Sequence, residues 1–90
     1  MSDILVHAEG GVTTITLNRP QRKNSLTAAM YQTLADALAS AQADAGVRVV
    51  VIQGNETVFS AGNDIGDFLD LPPSTPDAPV HRFLHVLAGF

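Results

Sequence analysis

Val49-Val50-Val51-Ile52, followed after one short turn by Phe59-Ser60-Ala61-Gly62-Asn63-Asp64-Ile65, decides how this chain folds. The first stretch is an unbroken apolar run, the pattern of a strand buried on both faces as in parallel sheets. The second stretch turns on a glycine. A strand ending in such a turn presents backbone N–H groups at its C-terminal edge, and in open α/β architectures ligands bind at that edge. Donors held by the backbone are suited to stabilising an oxyanion.

The elements before this point complete a βαβ unit. Ile4-Leu5-Val6-His7 and Val12-Thr13-Thr14-Ile15-Thr16-Leu17 flank Gly10-Gly11. Two β-rich runs around paired glycines predict a hairpin, because Gly supplies the positive φ that tight hairpin turns need. Asn18-Arg19-Pro20 ends the second strand, since Pro cannot continue a ladder. Gln21 to Lys23 reads as a polar loop, with Ser25 or Thr27 as cap of the next element. Leu26, Met30, Leu34 and Leu38 recur every fourth residue, with Ala37 and Ala41 beside them, which predicts an amphipathic helix stopping near Gly46. Val47 to Ile52 then predicts a buried strand parallel to Val12–Leu17.

Beyond the turn, Ile65 to Leu71 suits a short helix. Leu71 to Pro79 holds four of the five prolines and reads as a surface loop. Phe83, Leu84, Val86, Leu87 and Phe90 predict another helix from Val80 onward.

Composition narrows the partners. Ninety residues make one domain at most, and with no Cys neither disulfide nor thiolate site adds stability. Hydrophobic residues make up 46% against 16% charged, which suggests surfaces to be covered by more protein. A net charge of −4 disfavours nucleic acid as main partner, because phosphate binding needs clustered Lys and Arg. The start, Met1-Ser2-Asp3-Ile4, has no basic region ahead of an apolar stretch, and no run approaches the roughly 20 apolar residues of a spanning helix. The expectation is a cytoplasmic protein without membrane contact.

Three places could carry chemistry. The Gly62-Asn63-Asp64 turn suits either a helix cap, with Asp64 or Asn63 as the capping residue, or a backbone donor that polarises a carbonyl; the two are compatible, since a helix N-terminus is itself an anion site. Arg22-Lys23, with Arg19 nearby, puts three of the five basic residues in one loop, read equally as a solvated turn or as a contact to ligand phosphates. His81 and His85 stand at i, i+4, the spacing of a two-His metal face, but lack the Glu of an HExxH arrangement and an evident third ligand, so no metal is expected. GxGxxG, Walker and nucleophile-elbow sequences are absent.

Taken together, Thr16-Leu17-Asn18-Arg19-Pro20, Lys23-Asn24-Ser25-Leu26, a helix, Val49-Val50-Val51-Ile52-Gln53-Gly54 and Phe59-Ser60-Ala61-Gly62-Asn63-Asp64-Ile65 resemble the N-terminal part of the crotonase superfamily, the enoyl-CoA hydratase/isomerase family. The resemblance covers essentially the whole chain. It implies an α/β fold of the ClpP/crotonase ββα type, with residues 1–90 as the N-terminal portion of the spiral core. The Ser-Ala-Gly-Asn-Asp form looks most like the Δ3-Δ2-enoyl-CoA isomerase branch.

The resemblance implies an enzyme that hydrates a 2-enoyl-CoA or shifts its double bond, with coenzyme A as part of the substrate and no separate cofactor. The Asn63 N–H would be one of two oxyanion-hole donors. Ser60, Ala61, Gly62, Asp64 and Ile65 match the stretch along the CoA adenine and pantetheine, and Lys23 matches the loop near the CoA phosphates. The second donor and the catalytic carboxylates would lie beyond Phe90, so Asp67 and Asp70 are not assigned as general base. The full-length protein would form a trimer or hexamer, and the 90 residues alone would be inactive. Two alternatives stay open: a non-catalytic CoA-binding or interaction module, and another reaction of the superfamily.

Overall fold

The computed structural model describes residues 3–55, 58–64, 66 and 78–89. Two strands, β1 (Ile4–Glu9) and β2 (Val12–Leu17), pair antiparallel, with Ile4 opposite Leu17 and Glu9 opposite Val12. Gly10 and Gly11 join them at φ 58° and 82°. Positive φ at both central residues gives a turn whose twist matches the flanking strands, which is why two glycines sit there. On its other side β2 pairs in parallel with β3 (Val49–Gln53), so the order is β1-β2-β3. The predicted hairpin and parallel crossover are both present.

The crossover is α1 (Ala28–Ala43). Thr27 is its cap: the hydroxyl accepts from the Met30 N–H at 3.1 Å, satisfying a donor the first turn leaves without an intrahelical partner. Leu26 therefore lies before the helix, although it shares the four-residue spacing. At the other end Asp44 is the C-cap, and its carboxylate accepts from the Gly46 N–H at 2.8 Å.

Register decides what is buried. Side chains alternate across a strand, and in β2 Thr13, Ile15 and Leu17 face inward. Ile4, Ile15 and Leu17 pack against Met30, Leu34 and Leu38 of α1 to form the core. The opposite sheet face carries Leu5 from β1, Val12 from β2, and Val49 and Val51 from β3. Val49 is 50% exposed and Val51 38%. The expectation of a buried β3 is therefore corrected: only Val50 and Ile52 reach the core, and the strand begins at Val49 rather than Val47. An apolar run reports that both faces of a strand are apolar, not that both are covered.

The last described element, α2 (Pro79–Ala88), lies against α1. Phe83 and Val86 pack on the core, and the Phe83 ring meets Tyr31 at 5.4 Å between centroids and 52° between planes. Arg82 pairs with Asp36 at 2.7 Å, and the Gln42 amide donates to the Gly89 carbonyl at 2.7 Å. Pro79, expected in the Pro-rich loop, instead opens this helix, where its missing N–H costs nothing. The rest of that loop, the expected helix from Ile65 to Leu71, and Asp67 and Asp70 lie outside the described residues, apart from Gly66.

Candidate functional site

The site is built from two connections that meet beyond the C-terminal ends of β2 and β3. One runs from Asn18 to Leu26, between β2 and α1. The other runs from Phe59 to Asp64, after β3.

The first connection is a tight polar knot rather than a plain loop. Pro20–Arg22 forms one 3₁₀ turn. Lys23 and Asn24 follow at φ 53° and 56°, a left-handed region that Asn enters more readily than most residues. Asn24 is fully buried. Its side-chain oxygen accepts from the Arg19 N–H at 2.7 Å, and its amide donates to the Phe59 carbonyl at 3.2 Å. One side chain thus closes its own turn and anchors the second connection.

The second connection is tied on at three further points. The Ala61 N–H donates to the Lys23 carbonyl at 3.0 Å. The Ser60 hydroxyl donates to the Asn24 carbonyl at 2.8 Å and accepts from the Gly62 N–H at 3.1 Å. Leu26 and Asn63 then form an isolated parallel bridge. In it the Leu26 N–H donates to the Gly62 carbonyl at 2.8 Å, and the Asp64 N–H donates to the Leu26 carbonyl at 2.8 Å. Gly62 sits at φ 97°, a conformation that glycine adopts without steric cost.

This bridge settles which backbone groups are spent. Leu26 uses its own N–H and carbonyl, whereas from the other connection it takes the groups of Gly62 and Asp64, the neighbours of Asn63. Because successive peptides of an extended chain point to opposite sides, the Asn63 N–H is directed away from Leu26. No described residue accepts from it. The Asn63 side-chain oxygen accepts from the Tyr31 hydroxyl, which burial pushes above the usual phenol pKa, so that it remains a protonated donor.

Charge in the site is distributed differently from its sequence appearance. Asp64 is buried, and its carboxylate takes Arg19 Nη1 at 2.9 Å. Arg22 approaches the same oxygen at 3.6 Å from an exposed position. The basic loop is therefore divided: Arg19 is turned inward to Asp64, while Lys23 is exposed. Asp64 stands inside the knot rather than on an open surface. Ser60 is half-buried, while Ala61, Gly62 and Asn63 form an exposed rim; Ile65 lies outside the described residues. His81 and His85 are both exposed on α2.

Arg19, Asn24 and Tyr31 are the participants whose partnerships sequence reasoning missed. No periodicity marks them, and Arg19 and Asp64 are 45 positions apart. The one available signal was Asn24, a residue type that suits left-handed backbone in a segment otherwise read as solvated.

The sequence pattern of the enoyl-CoA hydratase/isomerase family matches residues 7–85. Among curated relatives, 1,2-epoxyphenylacetyl-CoA isomerase of Escherichia coli (strain K12) is 42% identical over 97% of this chain, and enoyl-CoA delta isomerase 2 of Homo sapiens is 39% identical over 78%. The chain spans 34% of the first and 18% of the second. Among solved structures, Pseudomonas aeruginosa OdaA superposes with a TM-score of 0.90 at 50% identity, covering 97% of this chain and 35% of its own. An enoyl-CoA hydratase/isomerase from Pseudoalteromonas atlantica T6c gives 0.87 at 34% identity, covering 96% of this chain and 34% of its own. Among the described residues, the three-stranded sheet with α1 and α2 is thus a piece of the crotonase fold, as the sequence resemblance implied. The chain belongs to the enoyl-CoA hydratase/isomerase family of the crotonase superfamily.

Proposed function

We propose that this chain supplies one of the two oxyanion-hole donors of an enzyme acting on fatty acyl-CoA thioesters, and that the donor is the backbone N–H of Asn63. The observation that carries the proposal is the Leu26–Asn63 bridge, which leaves that N–H directed outward on a tethered loop. The thioester oxygen accepts from it. As a base removes a proton alpha or gamma to the carbonyl, or water adds to the β-carbon of a 2-enoyl thioester, the electron pair moves onto this oxygen. A donor already aimed at the developing oxyanion stabilises the enolate more than the ground state. One such donor contributes roughly 2.7–4 kcal/mol to the transition state.

The remaining residues bind. The exposed Lys23 would meet the CoA phosphates, and Ser60, Ala61, Gly62 and Ile65 would run along the pantetheine and adenine. Asp64 contributes through the shape of the loop, since Arg19 engages its carboxylate. Coenzyme A enters as part of the substrate, with no separate cofactor. The second donor and the acid–base carboxylates would come from residues outside this chain, within a homo-oligomeric protein of the cytoplasm. Among the described residues no helix is long and apolar enough to cross a membrane.

The test removes the donor without removing much else. The aligned residues of this chain replace the matching segment of the human enoyl-CoA delta isomerase 2, and the double-bond shift of 3-hexenoyl-CoA is assayed, with hydration of crotonyl-CoA alongside. Asn63→Pro, which lacks the N–H, should lower kcat about 10²–10³-fold, whereas Asn63→Ala, which keeps it, should retain most activity. Equal activity of the two variants contradicts the proposal. The isolated chain should turn over neither substrate.

The uncovered face with Leu5, Val49 and Val51 favours a second reading, in which the chain binds CoA or associates with another chain without turnover. Its signature would be thioester binding or association together with a chimera whose kcat is indifferent to Asn63→Pro.

A further inference from the structure

We propose that Arg19 is a positioning residue for the Asn63 donor, acting through Asp64. The inference rests on the oxyanion proposal above and adds to it the device that aims the N–H.

Asn63 sits between two immobilised neighbours. On one side, the Gly62 N–H is held by the Ser60 hydroxyl and the Gly62 carbonyl by the Leu26 N–H. On the other, the Asp64 N–H is held by the Leu26 carbonyl, and the Asp64 carboxylate is held by Arg19. The Leu26 bond to the Gly62 carbonyl holds the peptide that carries the Asn63 N–H, and the Arg19 tie at Asp64 adds a side-chain anchor on the C-terminal side of Asn63.

Arg19 can serve as that tie because it is itself fixed. One residue separates it from the end of β2, the adjacent Asn18, whose N–H donates to the Asp3 carbonyl at 2.8 Å. Its own N–H donates to the buried Asn24 at 2.7 Å. Its Nη1 is shared among the Asp64 carboxylate, the Ser25 carbonyl at 3.0 Å and the Ser25 hydroxyl at 3.1 Å. Both partners are largely withheld from water, with side-chain exposures of 17% for Arg19 and 7% for Asp64. The segment leading into α1 and the loop carrying Asn63 therefore meet at one guanidinium.

Catalysis by a fixed dipole depends on the donor being in place before charge develops, and misplacement of about 1 Å can cost roughly 10²-fold in rate. Lysine at position 19 would keep a charge beside Asp64, but as a point charge on a flexible stem rather than a rigid planar group held by packing and hydrogen bonds.

The test uses the ¹⁵N-labelled chain as wild type, Arg19→Lys and Arg19→Met, with backbone relaxation recorded at every amide. The expected wild-type order parameter at Asn63 is about 0.85, the value of rigid backbone, falling below about 0.6 across Gly62–Asp64 in Arg19→Met. The α1 amides should keep their wild-type values, and Arg19→Lys should fall between. In the chimera, Arg19→Met should lower kcat about 10²-fold per folded molecule with KM nearly unchanged. A folded Arg19→Met whose Asn63 is as ordered as wild type overturns the proposal. So does loosening of α1 in step with the loop in both variants, or global unfolding of both, because the pair would then be a staple of the whole fold. An unaltered kcat in Asn63→Pro would remove the donor and leave the loop ordering as found. Unaltered Asn63 order in Arg19→Met would remove the positioning role and leave the donor proposal standing.

Discussion

The core and the donor loop hold together by opposite means. Ile15, Met30, Leu34 and Leu38 are interchangeable in kind: apolar, spaced to one face, and fixed by volume. Arg19, Asn24, Ser60 and Asp64 are not interchangeable. Each makes hydrogen bonds of defined direction, and together they pin a segment that has little apolar contact of its own. The difference teaches how packing and directed polar contacts divide their tasks. Packing sets whether the chain folds, whereas directed polar contacts set where one peptide N–H points.

The comparison can be broken first from the core side. Leu38→Ala removes a side chain that is 1% exposed and should cost about 2–5 kcal/mol of unfolding free energy, read by denaturant titration, with loss spread over every amide. A loss confined to the loop would mean that core and loop are not separable. Asn24→Ala comes next. It leaves the Arg19 N–H and the Phe59 carbonyl without their partner, and a buried polar group so stranded costs about 1–3 kcal/mol. Hydrogen exchange should rise most at 58–62 and least in α1. Uniform acceleration would place Asn24 with the core. Smallest is Thr27→Ala, which deletes the α1 cap and should cost about 1 kcal/mol, with fraying limited to the first helical turn. A wild-type midpoint would show that the bridge at Leu26 already holds that turn.

Much of the packed half was legible in the sequence. Gly10-Gly11 announced its turn, and the spacing of Met30, Leu34 and Leu38 announced the helix, because both signals are local. The exposure of Val49 and Val51 was not legible, since what covers a face is a property of its surroundings rather than of the strand. In the loop, the residue resemblance picked out Gly62 and Asn63, and the bridge to Leu26 accounts for how that peptide is held. The pairing of Arg19 with Asp64 was hidden for a physical reason. Next to Arg22 and Lys23 it reads as one of three cations on a wet loop, and only the chain's return 45 positions later supplies the carboxylate that turns it inward. Asn24 was hidden likewise: a polar residue beside a turn is ordinarily solvated, and its burial follows from the arrival of Phe59 and Ser60.

The most direct measurement is a titration of the ¹⁵N-labelled chain with butyryl-CoA, following the Asn63 amide proton, with free CoA as the control that lacks the thioester carbonyl. The account predicts a saturable downfield movement of the Asn63 signal with the thioester and none with free CoA. A signal unmoved at saturation, or moved equally by both, would contradict it.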